Sequence, residues 1–131
     1  MKKVVVGIIS KKIDNEISYL LVCSKKDFGQ YTGCYYPPGG HLECNETEEE
    51  ALKRELKEEL GVIIEPKVKI AETSSDVEGQ ITSWWDCQIL SGEPGIIDQN
   101  EIADFGYFNR KEMEILPLWP STKNMLNQIF Y

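Results

Sequence analysis

One segment of this 131-residue chain has both of its ends written in the sequence. Thr47, followed three residues later by Glu50, is the capping-box signature of a helix start, and Gly61 is a natural left-handed stop. A helix is therefore expected from about Glu48 to Leu60. Leu52, Leu56 and Leu60 fall on one stripe of it, which needs a surface to pack against. Glu55, Glu58 and Glu59, at i, i+3 and i+4, stand on the neighbouring side, at the edge of the buried face.

The surroundings of this helix are patterned as strands. Val4 to Ile9 and Ile17 to Cys23 flank a turn at Asp14-Asn15 and read as a β-hairpin. A polar loop from Ser24 to Gly33 follows, and Tyr35-Tyr36-Pro37-Pro38-Gly39-Gly40 interrupts any regular element. Beyond the helix, Lys67 to Thr73 and Ile81 to Leu90 read as strands, with a short third from Phe105 to Asn109. Pro120 and Ser121 start a closing helix whose stripe is Met125, Leu126, Ile129 and Phe130. No repeat, low-complexity tract or linker divides the chain, so residues 1–131 are expected to form one α+β domain in which helices flank a mixed sheet.

Composition narrows the function classes. A hydrophobic fraction of 41% supports a packed core, and no run approaches the roughly 18 apolar residues of a membrane span, so a soluble, cytoplasmic chain with no membrane partner is expected. The net charge of −8 and the presence of only Arg54 and Arg110 as arginines argue against a nucleic-acid polymer as partner. Any phosphate ligand then calls for a metal. The cysteines, Cys23, Cys34, Cys44 and Cys87, form no C-x-x-C pair, and His41 is the sole histidine, which argues against a structural zinc site and for reduced thiols.

Carboxylates at the edge of a buried helix face suit a hard divalent cation such as Mg²⁺, which takes oxygen ligands. An acidic helix face is ordinarily only solvated surface. The spacing on either side argues otherwise: from Gly40, five residues precede Glu46, seven more precede Arg54, and Glu55-Leu56-Lys57-Glu58-Glu59-Leu60-Gly61-Val62 follow. This 23-residue stretch resembles, at every fixed position, the signature of the Nudix (MutT-like) hydrolases, G-x5-E-x7-R-E-U-x-E-E-x-G-U with U a bulky aliphatic residue.

The resemblance implies a Nudix-like α/β/α sandwich and hydrolysis of a phosphoanhydride in a nucleoside diphosphate linked to another group, with Mg²⁺ as cofactor or Mn²⁺ in its place. It implies metal ligation by Glu58, Glu59 and the Gly39 carbonyl, with Glu55 as a further ligand or a base acting through water. Arg54 would fix the Glu55 rotamer, so Glu58, Glu55 and Arg54 form the catalytic set. Glu46, ahead of the helix, reads as structural through the helix dipole. Of the late carboxylates Asp98, Glu101 and Asp104, Glu101 best resembles the family's additional metal ligand. Gly39 and Gly40 are expected to let the backbone turn tightly.

His41, Lys25 (with Lys26 in the same loop) and Trp84 are candidate substrate contacts. Trp84 and Trp85 occupy successive strand positions and so face opposite sides, one toward a base and one toward the core. The window Val77-Glu78-Gly79-Gln80 lacks the proline associated with ADP-ribose hydrolases and the tyrosine associated with dinucleoside polyphosphate hydrolases. That leaves a nucleoside triphosphate pyrophosphohydrolase, releasing a monophosphate and pyrophosphate, as the expectation for a monomer or homodimer. The competing classes are a non-hydrolytic nucleotide sensor and an isomerase acting on a diphosphate lipid.

Overall fold

A computed structural model describes residues 1–129. In chain order the elements are β1 (Lys2–Ile8), β2 (Ser10–Ile13), β3 (Glu16–Ser24), a short 3-10 turn (Gly29–Tyr31), β4 (Tyr35–Tyr36), β5 (Gly39–His41) and α1 (Glu48–Leu60). They continue with β6 (Ile63–Ser74), β7 (Gln80–Ser91), β8 (Ile102–Asn109), α2 (Arg110–Ile115) and α3 (Pro120–Ile129).

The strands form two four-stranded sheets rather than one. The first runs β5-β1-β7-β6; in the second, β2, β4 and β8 all pair with β3. Asp14 and Asn15 make the expected turn, with φ of 51° and 66°. The strand that turn returns from is β2, however, and not the apolar run beginning at Val4. The reason is burial. In β1, Val5 enters one core while Val6 and Ile8 enter another, so this strand has two apolar faces and takes a central place, parallel to β7 and antiparallel to β5. β2, exposed throughout, suits the edge beside β3.

The two cores define the layers. Val5, Leu20 and Val22 pack against Leu52, Leu56 and Leu60 of α1 on one face. Val6, Ile8, Leu21 and Trp84 pack against Met113 of α2 and Met125 and Leu126 of α3 on the other. The sheets thus lie between helices, the α/β/α arrangement expected. Phe130, expected on the α3 stripe, lies outside the described residues.

α1 keeps the boundaries expected of it. Thr47 accepts from the Glu50 backbone N–H while Glu50 accepts from that of Thr47, and Gly61 ends the helix at φ 71°. Unforeseen was α2, although Asn109 and Glu112 form a second capping box whose spacing is visible in the sequence. Among the described residues no helix is long and apolar enough to cross a membrane.

Candidate active site

The site forms where β5 lies against β1 on one side and α1 on the other. A Cβ on Gly39 would collide with the Val5 carbonyl, and one on Gly40 would lie 2.5 Å from the Glu55 carboxyl carbon. Neither glycine has positive φ, and Gly39–His41 is a strand paired with Val4–Val6, so the expected tight turn is absent. Close approach of backbone to backbone and of backbone to carboxylate is what requires glycine there.

Arg54 organises the carboxylates. Its Nε donates to Glu46 Oε2 at 2.6 Å and its Nη2 to Glu46 Oε1 at 3.0 Å, a two-point grip. Nη1 reaches Glu55 Oε1 at 3.0 Å and Glu58 Oε2 at 3.3 Å, and Nη2 also donates to the His41 carbonyl at 3.1 Å. One planar guanidinium thereby ties α1 to β5 and to the segment leading into the helix, which an ammonium has no geometry to do. Glu46 is structural, as expected, but it serves by holding Arg54. That grip, with a hydrogen bond from the Glu43 backbone, holds the Glu46 carboxyl down at about 2.

Glu59 meets the opposite situation. Burial, and then the charges of Glu55, Glu101 and Asp98, push its carboxyl well above the usual carboxylate range. Asp98 is brought close because the Ile97 and Asp98 backbone N–H groups donate to the Glu59 carbonyl, so the loop after β7 is fastened to the last turn of α1. Glu101, whose carboxylate accepts from Lys26 at 3.1 Å, completes this wall.

A cavity of about 440 Å³ opens over these groups. Gly39, His41, Arg54, Glu55, Glu58, Glu59, Asp98 and Glu101 all border it. Lys25 does not; the adjacent Lys26 takes the place on the wall. Asp104 is also absent, its carboxylate taken by the Tyr35 hydroxyl. Trp84 lies on the cavity floor, only 1% exposed and with Nε1 donating to Thr73, while Trp85 faces α1 and donates to Glu48. Tyr36, Asp76 and Trp119 also border the cavity and were not foreseen, because they sit in loops or an interrupted segment whose placement no local pattern encodes.

Hard oxygen donors, crowded so closely that one carboxylate is driven toward its protonated form, fit a divalent cation. Among the described residues no group of three such side chains forms a ready-made cage. Mg²⁺ does not need one, since it usually keeps several waters and takes only a few protein ligands beside substrate oxygens.

With that geometry in place, comparison with known proteins identifies the family. A family model for the NUDIX domain matches residues 1–129, and the chain belongs to that family. An ADP-ribose pyrophosphatase of Methanocaldococcus jannaschii is 52% identical over 105 residues, covering 76% of this chain, which spans 57% of that protein's length. A nucleoside triphosphatase NudI of an Enterobacter strain is 30% identical over 134 residues, covering 92% of this chain and 94% of its own. Among solved structures, a MutT NUDIX hydrolase from Burkholderia pseudomallei superposes with a TM-score of 0.79 at 23% identity, over 98% of this chain and 97% of the other. The NUDIX domain of Shewanella oneidensis NrtR, complexed with ADP ribose, gives 0.77 at 20% identity, over 97% and 84%. These two likenesses concern the fold.

Proposed function

We propose that the chain hydrolyses a phosphoanhydride of a nucleoside triphosphate, releasing the monophosphate and pyrophosphate, with Mg²⁺ or Mn²⁺ as cofactor and in a reducing cytoplasm where its four cysteines stay free. The observation that carries this reading is the Arg54 grip, which presents Glu55 and Glu58 beside Glu59 at the mouth of a nucleotide-sized cavity.

Glu55, Glu58, Glu59 and Glu101, with the Gly39 carbonyl, would hold the metal, whose role when bound is to neutralise the phosphates and acidify a water. Arg54 acts as a positioning residue, because its donors are spent on carboxylates and the His41 carbonyl. Lys26 is the cation on the wall that can leave its exposed partner Glu101 for a phosphate oxygen. Glu55 or Glu58 accepts the proton of the attacking water. His41, exposed beside the glycines, borders the path of the phosphates.

A second reading, hydrolysis of ADP-ribose, draws support from the archaeal relative. Incubation with Mg²⁺ and a panel of nucleoside triphosphates, ADP-ribose, nucleotide sugars and dinucleoside polyphosphates separates the two. Pyrophosphate plus a monophosphate is expected; AMP plus ribose 5-phosphate would establish the second reading. Glu58→Gln should reduce turnover by about a hundredfold or more with the fold intact. Near-wild-type turnover in that variant would overturn the assignment. Nucleotide binding with no product would leave a sensor.

A further inference from the structure

The loop between β7 and β8 crosses the end of α1 before it reaches the cavity. The Gly95 N–H donates to the Leu60 carbonyl at 3.0 Å, and the N–H groups of Ile97 and Asp98 donate to the Glu59 carbonyl at 3.0 and 3.4 Å. The last carbonyls of a helix have no partner within it, and here a distant stretch of chain supplies donors for two of them. Close packing accompanies these bonds. A Cβ on Gly92 would lie 2.8 Å from the Gly61 carbonyl oxygen, and one on Gly61 would lie 3.0 Å from Ile97 Cγ1. Residues 92–98 therefore form a strap over the turn that ends α1.

Two side chains define what the strap does. Ile97 is 63% exposed, so burial in a core does not account for an aliphatic group there; what it covers is the Gly61 turn. Asp98 borders the cavity, yet its Oδ1 accepts from the Asn100 N–H at 3.2 Å, and its carbonyl accepts from the N–H groups of Glu101 at 3.3 Å and Ile102 at 3.1 Å. An aspartate that bonds its own following backbone closes a turn, and this one delivers Glu101 to the start of β8. From the other side, the Glu101 carbonyl accepts from the Lys25 N–H at 2.9 Å. Backbone hydrogen bonds thus lead without a break from the residue that bears the Glu59 carboxylate to the residue that bears that of Glu101.

We propose that the strap sets the separation of the Glu59 and Glu101 carboxylates, with Ile97 and Asp98 as positioning residues, Asp98 serving its turn rather than the metal. The inference rests on the reading of these carboxylates as a divalent-metal site and deepens it. Its chemical consequence is the choice of cation. Mg²⁺ demands near-ideal octahedral geometry at roughly 2.0–2.1 Å, whereas Ca²⁺ accepts more oxygens at roughly 2.3–2.6 Å in a flexible arrangement. Carboxylates borne by two elements, a helix end and a loop, keep a spacing suited to the smaller ion only if one element is fixed against the other. A slack strap should therefore weaken Mg²⁺ binding more than Ca²⁺ binding.

Calorimetric titration of the metal-free chain with MgCl₂ and with CaCl₂ tests this, with urea midpoints measured alongside. Ile97→Gly should weaken Mg²⁺ binding about tenfold and Ca²⁺ binding clearly less, as when an outer partner of a metal ligand is lost. Ile97→Val, which keeps a branched side chain over Gly61, should bind Mg²⁺ as the wild type does. Asp98→Asn retains an oxygen for the Asn100 N–H and Asp98→Ala does not, yet both remove the same charge. Asp98→Ala should therefore bind Mg²⁺ more weakly than Asp98→Asn and lose more of the preference for Mg²⁺ over Ca²⁺. Should Ile97→Gly fail to fold, the Asp98 pair decides. Equal losses in the two Asp98 variants, or a folded Ile97→Gly with the wild-type ratio of Mg²⁺ to Ca²⁺ affinity, overturn the proposal, as does a wild type that binds neither ion. Metal binding in the expected pattern with no nucleotide cleaved would support the strap while refuting the phosphohydrolase reading.

Discussion

Gly39 and Gly40 are adjacent and alike in sequence, yet their surroundings separate them. A methyl group on Gly39 meets backbone, the Val5 carbonyl, which belongs to a central strand and has nowhere to go. On Gly40 it meets the end of a flexible Glu55 side chain. Gly39→Ala is expected to lower stability by about 1–3 kcal/mol, the usual range for overpacking. Gly40→Ala should leave the urea midpoint within error while displacing Glu55 and raising the Mg²⁺ concentration needed for half-maximal turnover. Equal destabilisation by both would contradict the contacts. The grouping of Glu55, Glu58 and Glu59 was legible because a fixed spacing on one helix places them together, whereas Asp98 and Glu101 reach the same cavity from the loop after β7. The residues on the other side of the cavity were not legible, because Trp119, Asp76 and Phe28 are separated by some forty residues or more and come to one cavity only through tertiary packing.

The first turn of α1 carries a charge cluster with a consequence for acid stability. Burial pushes the Glu48 carboxyl up, but hydrogen bonds from Trp85, Lys3 and Lys69 outweigh it and leave the group at about 2. A carboxylate held below its unfolded value contributes stability that is complete above pH 4.5 or so and disappears as pH falls toward 2. Thermal midpoints measured from pH 6 to pH 2 should therefore fall, and Glu48→Gln should flatten that decline while lowering the midpoint at neutral pH. An acid limb unchanged in the variant would remove Glu48 from the cause. The boundaries of α1 were readable because both caps are local. The partner of β3 was not, because the turn at Asp14–Asn15 closes a hairpin without saying how far β2 extends, and the two-faced burial of β1 is a property of the assembled layers.

Across the molecule, the acidic wall opposes the rest of the fold. Like charges around a half-buried Glu59 destabilise the metal-free protein, a trade of stability for a binding site. Mg²⁺ should raise the thermal midpoint in a dose-dependent way, by the equivalent of about 2.7 kcal/mol at a hundredfold excess over its Kd, and a chelator should reverse it. Glu59→Gln should melt higher than wild type without metal and gain less from Mg²⁺. A metal-free variant that melts lower would show that Glu59 is not under such strain.

The parallel pairing of β1 with β7 joins Lys2 to Gln80 and Ile8 to Asp86. During synthesis the first strand emerges long before its partner. At about 5–20 residues per second, this apolar ribbon waits roughly 4–16 s for its second neighbour, with only β5 able to cover one edge meanwhile. Its vulnerability is thus a matter of translation tempo. Slower elongation between residues 41 and 80 is expected to raise the insoluble fraction of newly made protein, while the molecules that escape melt at the same temperature as before.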